Sequence, residues 1–174
     1  MRFTDFLKAT VLISAGAASA LAAATAVGIN ADRDSTLALI ALGWWVAAGL
    51  YGVWLGRRAE TNPPITRVLA GARFSPALPE QRPGRILINR LWPLALMTVV
   101  AGALAFLFPQ VPMIATGFAI IWALAWRKQD GAVAAIEERD GVTFYVEQTS
   151  PVRPIQLVRT PGFRREAPSL NGSR

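Results

Sequence analysis

The segment RRAETNPPITRVLAGARFSPALPEQRPGRILINR, residues 57–90, divides the chain into two similar halves. A long apolar run precedes it, another follows it, and its five prolines exclude a long helix within it. Seven arginines stand here against two glutamates, and by the positive-inside rule this marks a cytoplasmic loop. The arginines are Arg57, Arg58, Arg67, Arg73, Arg82, Arg85 and Arg90.

The composition places the chain in a membrane. Of its 174 residues 53% are hydrophobic, and they come in uncharged runs whose length matches the thickness of a bilayer. We therefore predict an all-α integral membrane protein with four transmembrane helices arranged as two hairpins and a small β-hairpin-like tail. The net charge of +7 is explained by topology, so no nucleic-acid partner is predicted.

The domain boundaries follow from the apolar runs. Residues 1–128 form the predicted transmembrane domain and residues 129–174 its cytoplasmic tail. The predicted spans are residues 9–29, 37–56, 91–108 and 111–126, with the cytoplasmic loop at 57–90. Both termini are expected in the cytoplasm. Because Arg far outnumbers Lys, which we attribute to genomic base composition, we expect a bacterial cell inner membrane.

The first apolar run has two interpretations. Ala9 to Ile29 is long enough to span a bilayer, but the basic start and the triplet Ala18-Ser19-Ala20 also resemble a secretory signal peptide. The run is longer than the usual apolar region of about 7–15 residues in such peptides, so a retained helix is favoured. Both interpretations place Asn30 outside the cytoplasm.

Small residues at helical spacing predict close helix packing in the first two spans. They could pack on each other or on a second copy of the chain, although Ala richness alone also explains the first ridge. The candidates are Gly16, Ala20, Ala24 and Gly28 in the first span and Gly52 and Gly56 in the second. In the second hairpin, Pro93 is expected in the first turn of its helix, and the fourth span is short for a bilayer.

The loop and the tail contain short candidate elements. Ile65 to Phe74 has an apolar helical face and predicts an interfacial helix, with an irregular loop as the alternative. Asp140-Gly141 is a hairpin signal, followed by an alternating strand from Val142. Val133 to Arg139 is favoured as the partner strand over a continuation of the fourth helix, and Ile155 to Arg159 offers a third strand.

No residue pattern indicates catalysis. The chain lacks both cysteine and histidine, which removes thiolate sites and the commonest base and metal ligand. The acids Glu137, Glu138, Asp140 and Glu147 are expected to be solvated. No catalytic, cofactor-binding or metal-binding residue is predicted, and the spans contain no ionisable group for a coupled transporter.

The sequence therefore favours a non-enzymatic membrane anchor or accessory subunit. Its basic loop and tail would contact anionic lipid headgroups or a protein partner. The alternative is a small transporter or channel subunit that forms homo-oligomers along its glycine faces.

Overall fold

The computed structural model describes residues 1–32, 35–57, 68–75, 83–147 and 155–161. About 80% of these residues are helical, and a small three-stranded sheet accompanies the helices. The helices are α1 (Phe3–Asp32), α2 (Ser35–Gly56), α3 (Pro83–Ala103), α4 (Gln110–Trp126) and α5 (Gln129–Asp140), and the strands are β1 (Arg73–Phe74), β2 (Val142–Val146) and β3 (Leu157–Pro161). A short 3-10 helix, Leu104–Phe106, follows α3.

Helices occupy all four apolar segments. Three of them, α1, α2 and α3 with its 3-10 extension, are long and apolar enough to cross a membrane. The fourth, α4, has 17 residues. Pro93 lies inside α3 rather than in its first turn, because that helix begins at Pro83, where a missing N–H is tolerated.

The fourth helix is central to the packing. It lies along α1 on one side and along α2 on the other, whereas α1 and α2 touch little. The third helix packs mainly on α1 and contacts α4 less. Consecutive helices of the first hairpin are therefore joined chiefly through α4.

Two glycines allow α2 to approach the backbone of α4. A Cβ added at Gly52 would lie 2.9 Å from the Cβ of Leu124 and 3.1 Å from the Cα of Ile121. At Gly56 it would meet the carbonyl group of Leu124. Between helices in lipid there is no hydrophobic drive, and there such close contact is a main source of attraction.

Two tryptophans strengthen the same contact at its other end. The indole N–H groups of Trp44 and Trp45 donate to the carbonyl oxygens of Ile114 and Met113, at 3.3 and 3.0 Å. The Trp44 ring lies against Gly117, where an added Cβ would overlap it. Neither the hydrogen bonds nor Gly117 was expected from the sequence.

The buried face of α1 differs from the predicted small-residue ridge. Gly16 and Ala20 are exposed and Ala24 is half-buried, while Gly28 contacts Pro109. The buried stripe consists of Thr10, Ser14, Ala18, Leu21 and Thr25. Thr10 and Thr25 can be buried because each hydroxyl donates to the carbonyl oxygen four residues earlier, at 2.8 Å.

The favoured β-hairpin around Asp140-Gly141 is wrong. Residues 133–139 belong to α5, and Gly141 ends that helix with a left-handed φ of 61° while its N–H bonds the carbonyl of Glu137. Alanine, glutamate and arginine favour a helix in this segment, and glycine is the usual residue at such an end. The strand β2 pairs instead with β3, antiparallel, from Val142↔Pro161 to Val146↔Leu157.

The loop does not form an interfacial helix in its described part. Residues 68–70 form a single helical turn, after which β1 pairs in parallel with β3, Arg73 opposite Val158. Val68, Leu69 and Ala72 pack against a buried protein core, so their apolar face is covered by protein. Ile65 and Arg67 lie outside the described residues.

We predict that the double variant Gly52→Leu with Gly56→Leu has a lower free energy of unfolding in mild detergent, by about 1–3 kcal/mol per site, because the larger side chains push α2 away from α4. The loss is measured as a lower melting temperature. The matched control is Gly43→Leu with Gly49→Leu on the same helix, where an added Cβ meets nothing within 4 Å. Equal melting temperatures for the two double variants would contradict the packing role.

Candidate functional site

One end of the helix bundle carries a small compact cap, formed by the sheet, α5 and the first turns of α1 and α3. Its core contains eight buried hydrophobic side chains. They are Phe3, Phe6, Leu7, Ile86, Val133, Phe144, Val146 and Leu157. Because the helices α1 and α3 supply half of these side chains, the cap is continuous with the bundle.

A buried carboxylate joins three parts of the cap. Glu137 on α5 is only 6% exposed, and its Oε1 accepts the backbone N–H of Phe144 at 2.8 Å. Its Oε2 accepts the guanidinium of Arg2 at 3.2 Å. A buried charge is tolerated only when it is paired and hydrogen-bonded, and here both conditions are met.

The start of the chain also covers the edge of β2. The N–H of Val146 donates to the carbonyl oxygen of Met1 at 3.1 Å, and Arg2 forms an antiparallel bridge with Tyr145. Burial lowers the pKa of the Met1 α-amino group. The first residues therefore act as an additional short edge segment beside the sheet, next to the carboxylate of Glu137.

The expectation that the tail acids are solvated is wrong for Glu137 and holds only in part for Glu147, which is half-buried. Glu138 and Asp140 are exposed as expected, and the hydrogen bond from Arg139, at 2.8 Å, lowers the pKa of Asp140. The signal for burial of Glu137 was its position four residues after Val133, on one face of a helix. It was missed because the segment was interpreted as a strand.

Several basic residues stand in β1 or where the helices of the bundle begin or end at the cap. Within the described residues this basic collar consists of Arg57, Arg73, Arg85, Arg90, Arg127 and Lys128. All are exposed except Arg90, which is half-buried. Of the predicted contact arginines, Arg58, Arg67 and Arg82 lie outside the described residues. The collar adds Arg127 and Lys128, which directly follow α4.

The exposed side chains at this end can take part in the recognition of anions. Among the residues that the structure describes, no three acidic side chains are close enough together to hold a metal ion. The exposed guanidinium and ammonium groups of the collar can bind phosphate or carboxylate groups.

No protein-family model, curated protein or solved structure matches this chain.

We predict that Glu137→Ala lowers the free energy of unfolding by about 1–3 kcal/mol, because the buried N–H of Phe144 loses its acceptor. Glu137→Gln retains an oxygen there and should cost less. Thermal unfolding and limited proteolysis of the tail in mild detergent measure the effect. Glu138→Ala, the exposed neighbour, is the control, and equal losses for the two alanine variants would refute the role of the carboxylate.

Proposed function

We propose that this chain is a non-enzymatic, multi-pass protein of the bacterial inner membrane that anchors the cap on the cytoplasmic side. The cap and its basic collar serve as a platform for anionic headgroups or for an acidic surface of a protein partner. The observation that carries this proposal is the shared core, in which Phe3 and Ile86 of the bundle pack with Phe144 of the tail. It holds the collar rigidly at one end of the apolar helices.

The shared core also supports an even number of membrane crossings. Phe3 at the start of α1 and Val133, just after α4, lie in the same core, so the chain returns to its starting side. At the opposite end Gly28 of α1 contacts Pro109, which precedes α4. Since α1, α2 and α3 can each cross, we infer that α4 makes the fourth crossing.

The length of α4 is compatible with this role. Its 17 residues rise about 26 Å at about 1.5 Å each, against a hydrocarbon core of about 30 Å. Local thinning of the bilayer accommodates a difference of this size at modest cost. The exposed Phe106, Leu107 and Phe108 precede α4 and suit the lipid at that boundary.

The orientation follows from charge. The basic collar lies at the cap end, and Lys and Arg are retained on the cytoplasmic side of membrane proteins. Each basic side chain near an anionic surface adds about 1 kcal/mol of attraction. Several exposed members of the collar together therefore give a useful affinity without any single strong site.

The alternative, an oligomeric transporter or channel subunit, has less support, because it relied on glycine faces that are free to contact a second copy. Gly52 and Gly56, the expected glycine face of α2, lie against α4 within one chain and are not available to a second copy. The apolar spans contain no ionisable group that could bind a coupling ion. The anchoring role is therefore the better supported of the two.

The topology can be tested directly because the chain has no cysteine. We predict that Gln110→Cys reacts with a membrane-impermeant maleimide added to spheroplasts, and that Gly131→Cys, on the exposed surface of α5, reacts only after permeabilisation. Both positions are exposed on the surface of the protein. The side of the membrane on which each cysteine lies therefore decides whether the maleimide reaches it. Labelling of the two variants from the same side would contradict four crossings, and the cysteine-free parent reports any background.

The platform role predicts a bound partner or lipid. Purification in mild detergent, followed by mass determination, should yield the chain with a co-purifying protein or with anionic lipid. A triple variant in which Arg57, Arg73 and Arg127 are each replaced with Gln should retain less co-purifying protein or lipid, because three exposed positive charges are lost. A bare homo-oligomer, unaffected by these replacements, would argue against the platform and for the alternative.

A further inference from the structure

An apolar groove runs along the bundle between α3 and α4, starting below the cap. It consists of two adjoining cavities of 440 and 330 Å³ that share Leu94 and Trp122 as lining residues. The first is bounded at the cap by Phe6 and Leu7, and the second reaches Leu21 and Phe118 in the middle of the bundle. The groove exists because α3 packs mainly on α1 and leaves α4 partly uncovered.

The groove is apolar along its length, and the described residues that line it include one charged group, at the cap end. Arg90 is the charged residue among those that line it. The hydroxyl of Thr10, also in the lining, donates to the carbonyl oxygen of Phe6 at 2.8 Å. Arg90 differs from the other described members of the collar because it is half-buried between helices rather than exposed.

The groove is open to the surroundings of the bundle rather than to its interior. Trp122 and Met97 line it and are 52% and 68% exposed. In a membrane these side chains face hydrocarbon, so a ligand enters sideways from the bilayer. The rings of Trp122 and Trp126, with centroids 5.7 Å apart, form a broad apolar wall near Arg90.

We propose that this groove binds an anionic phospholipid, with one acyl chain along α3 and α4 and the phosphate at Arg90. The inference rests on the proposed orientation, which puts Arg90 at the level of the cytoplasmic headgroups. A guanidinium can hold two phosphate oxygens at once, and this interaction is stronger where water is partly excluded. Basic pockets between transmembrane helices on the cytoplasmic side suit such headgroups.

The shape of the groove selects an amphiphile over a free anion. Its volume lies in the range of about 300–1,000 Å³ that is usual for ligand sites, and most of its wall is hydrocarbon and indole. A small phosphate would contact Arg90 but leave the rest of the groove empty. An acyl chain fills the groove and covers the exposed face of Trp122.

The test uses the full-length protein, stripped of lipid in detergent, and measures binding of phosphatidylglycerol by native mass spectrometry and by the rise in melting temperature. Arg90→Gln should weaken binding about tenfold, since a charge-assisted contact is lost. Arg139→Gln, which removes an exposed arginine that belongs neither to the collar nor to the lining of the groove, should change it less than about twofold. Arg90→Lys should retain part of the affinity.

A second variant tests the position of the chain. Ala115→Phe fills the middle of the groove and should weaken phosphatidylglycerol binding without touching the basic collar. Phosphatidylcholine with the same chains should bind more weakly than phosphatidylglycerol, and glycerol phosphate without chains should not raise the melting temperature. The melting temperatures of the lipid-free variants identify any that fail to fold.

Three outcomes would overturn the proposal: equal binding by Arg90→Gln and wild type, unchanged binding by Ala115→Phe, or equal stabilisation by glycerol phosphate. The proposed function would survive all three outcomes if Gln110→Cys and Gly131→Cys still label from opposite sides of the membrane. The exposed collar would then bind headgroups at the protein surface, without a site in the groove. If Gln110→Cys and Gly131→Cys label from the same side while Arg90→Gln still weakens phosphatidylglycerol binding, the lipid site in the groove stands and the proposed orientation is wrong.

Discussion

The packing of the first turn of α1 into the core of the cap is the constraint on which the rest of the structure depends. Phe3, Phe6 and Leu7 are buried against side chains that come more than a hundred residues later in the sequence, such as Phe144. Burying each large apolar side chain contributes about 1.5–3 kcal/mol. The start of the chain, the start of α3 and the tail are thereby held at one end of the bundle, and the basic collar with them.

The cap and the bundle are stabilised by different forces. The cap has a core of mixed helix and sheet origin, closed by the carboxylate of Glu137, and it depends on removing apolar surface from water. In the bundle, α2 and α4 adhere through glycines and indole hydrogen bonds, which are contacts of the kind that hold helices together where the surroundings are as apolar as the side chains. Where such contacts are fewer, between α3 and α4, the bundle leaves a groove.

The apolar runs were enough to predict the main helices from their length and lack of charge, although α3 begins at Pro83, inside the predicted loop. Alternation after Gly141 likewise predicted β2. The partner of β2 could not be predicted, because Asp140-Gly141 is equally suited to end a helix and the helix propensity of Val133 to Arg139 prevailed. A pattern in one segment does not identify the segment that pairs with it.

The same limit applies to the candidate site. Glycine spacing indicated that Gly52 and Gly56 suit close packing, but it could not say that α4 rather than α1 would occupy them. On α1 the hydroxyls of Thr10 and Thr25 donate to carbonyl oxygens of their own helix. The buried stripe of α1 can therefore contain polar residues, which the sequence pattern did not indicate. Arg90 was one of seven arginines in the predicted loop, and its depth between helices separates it from the others that the structure describes.

The most direct test of the central claim is a disulfide between the chain start and the tail. Arg2 and Tyr145 face each other in an antiparallel bridge, and such pairs lie at the Cα separation that a disulfide needs. Arg2→Cys with Tyr145→Cys, in a chain without other cysteines, should form an intramolecular disulfide when isolated membranes are oxidised, and Arg2→Cys with Gly131→Cys should not. Absence of the first cross-link, or a mature protein that lacks Arg2, would contradict the shared core.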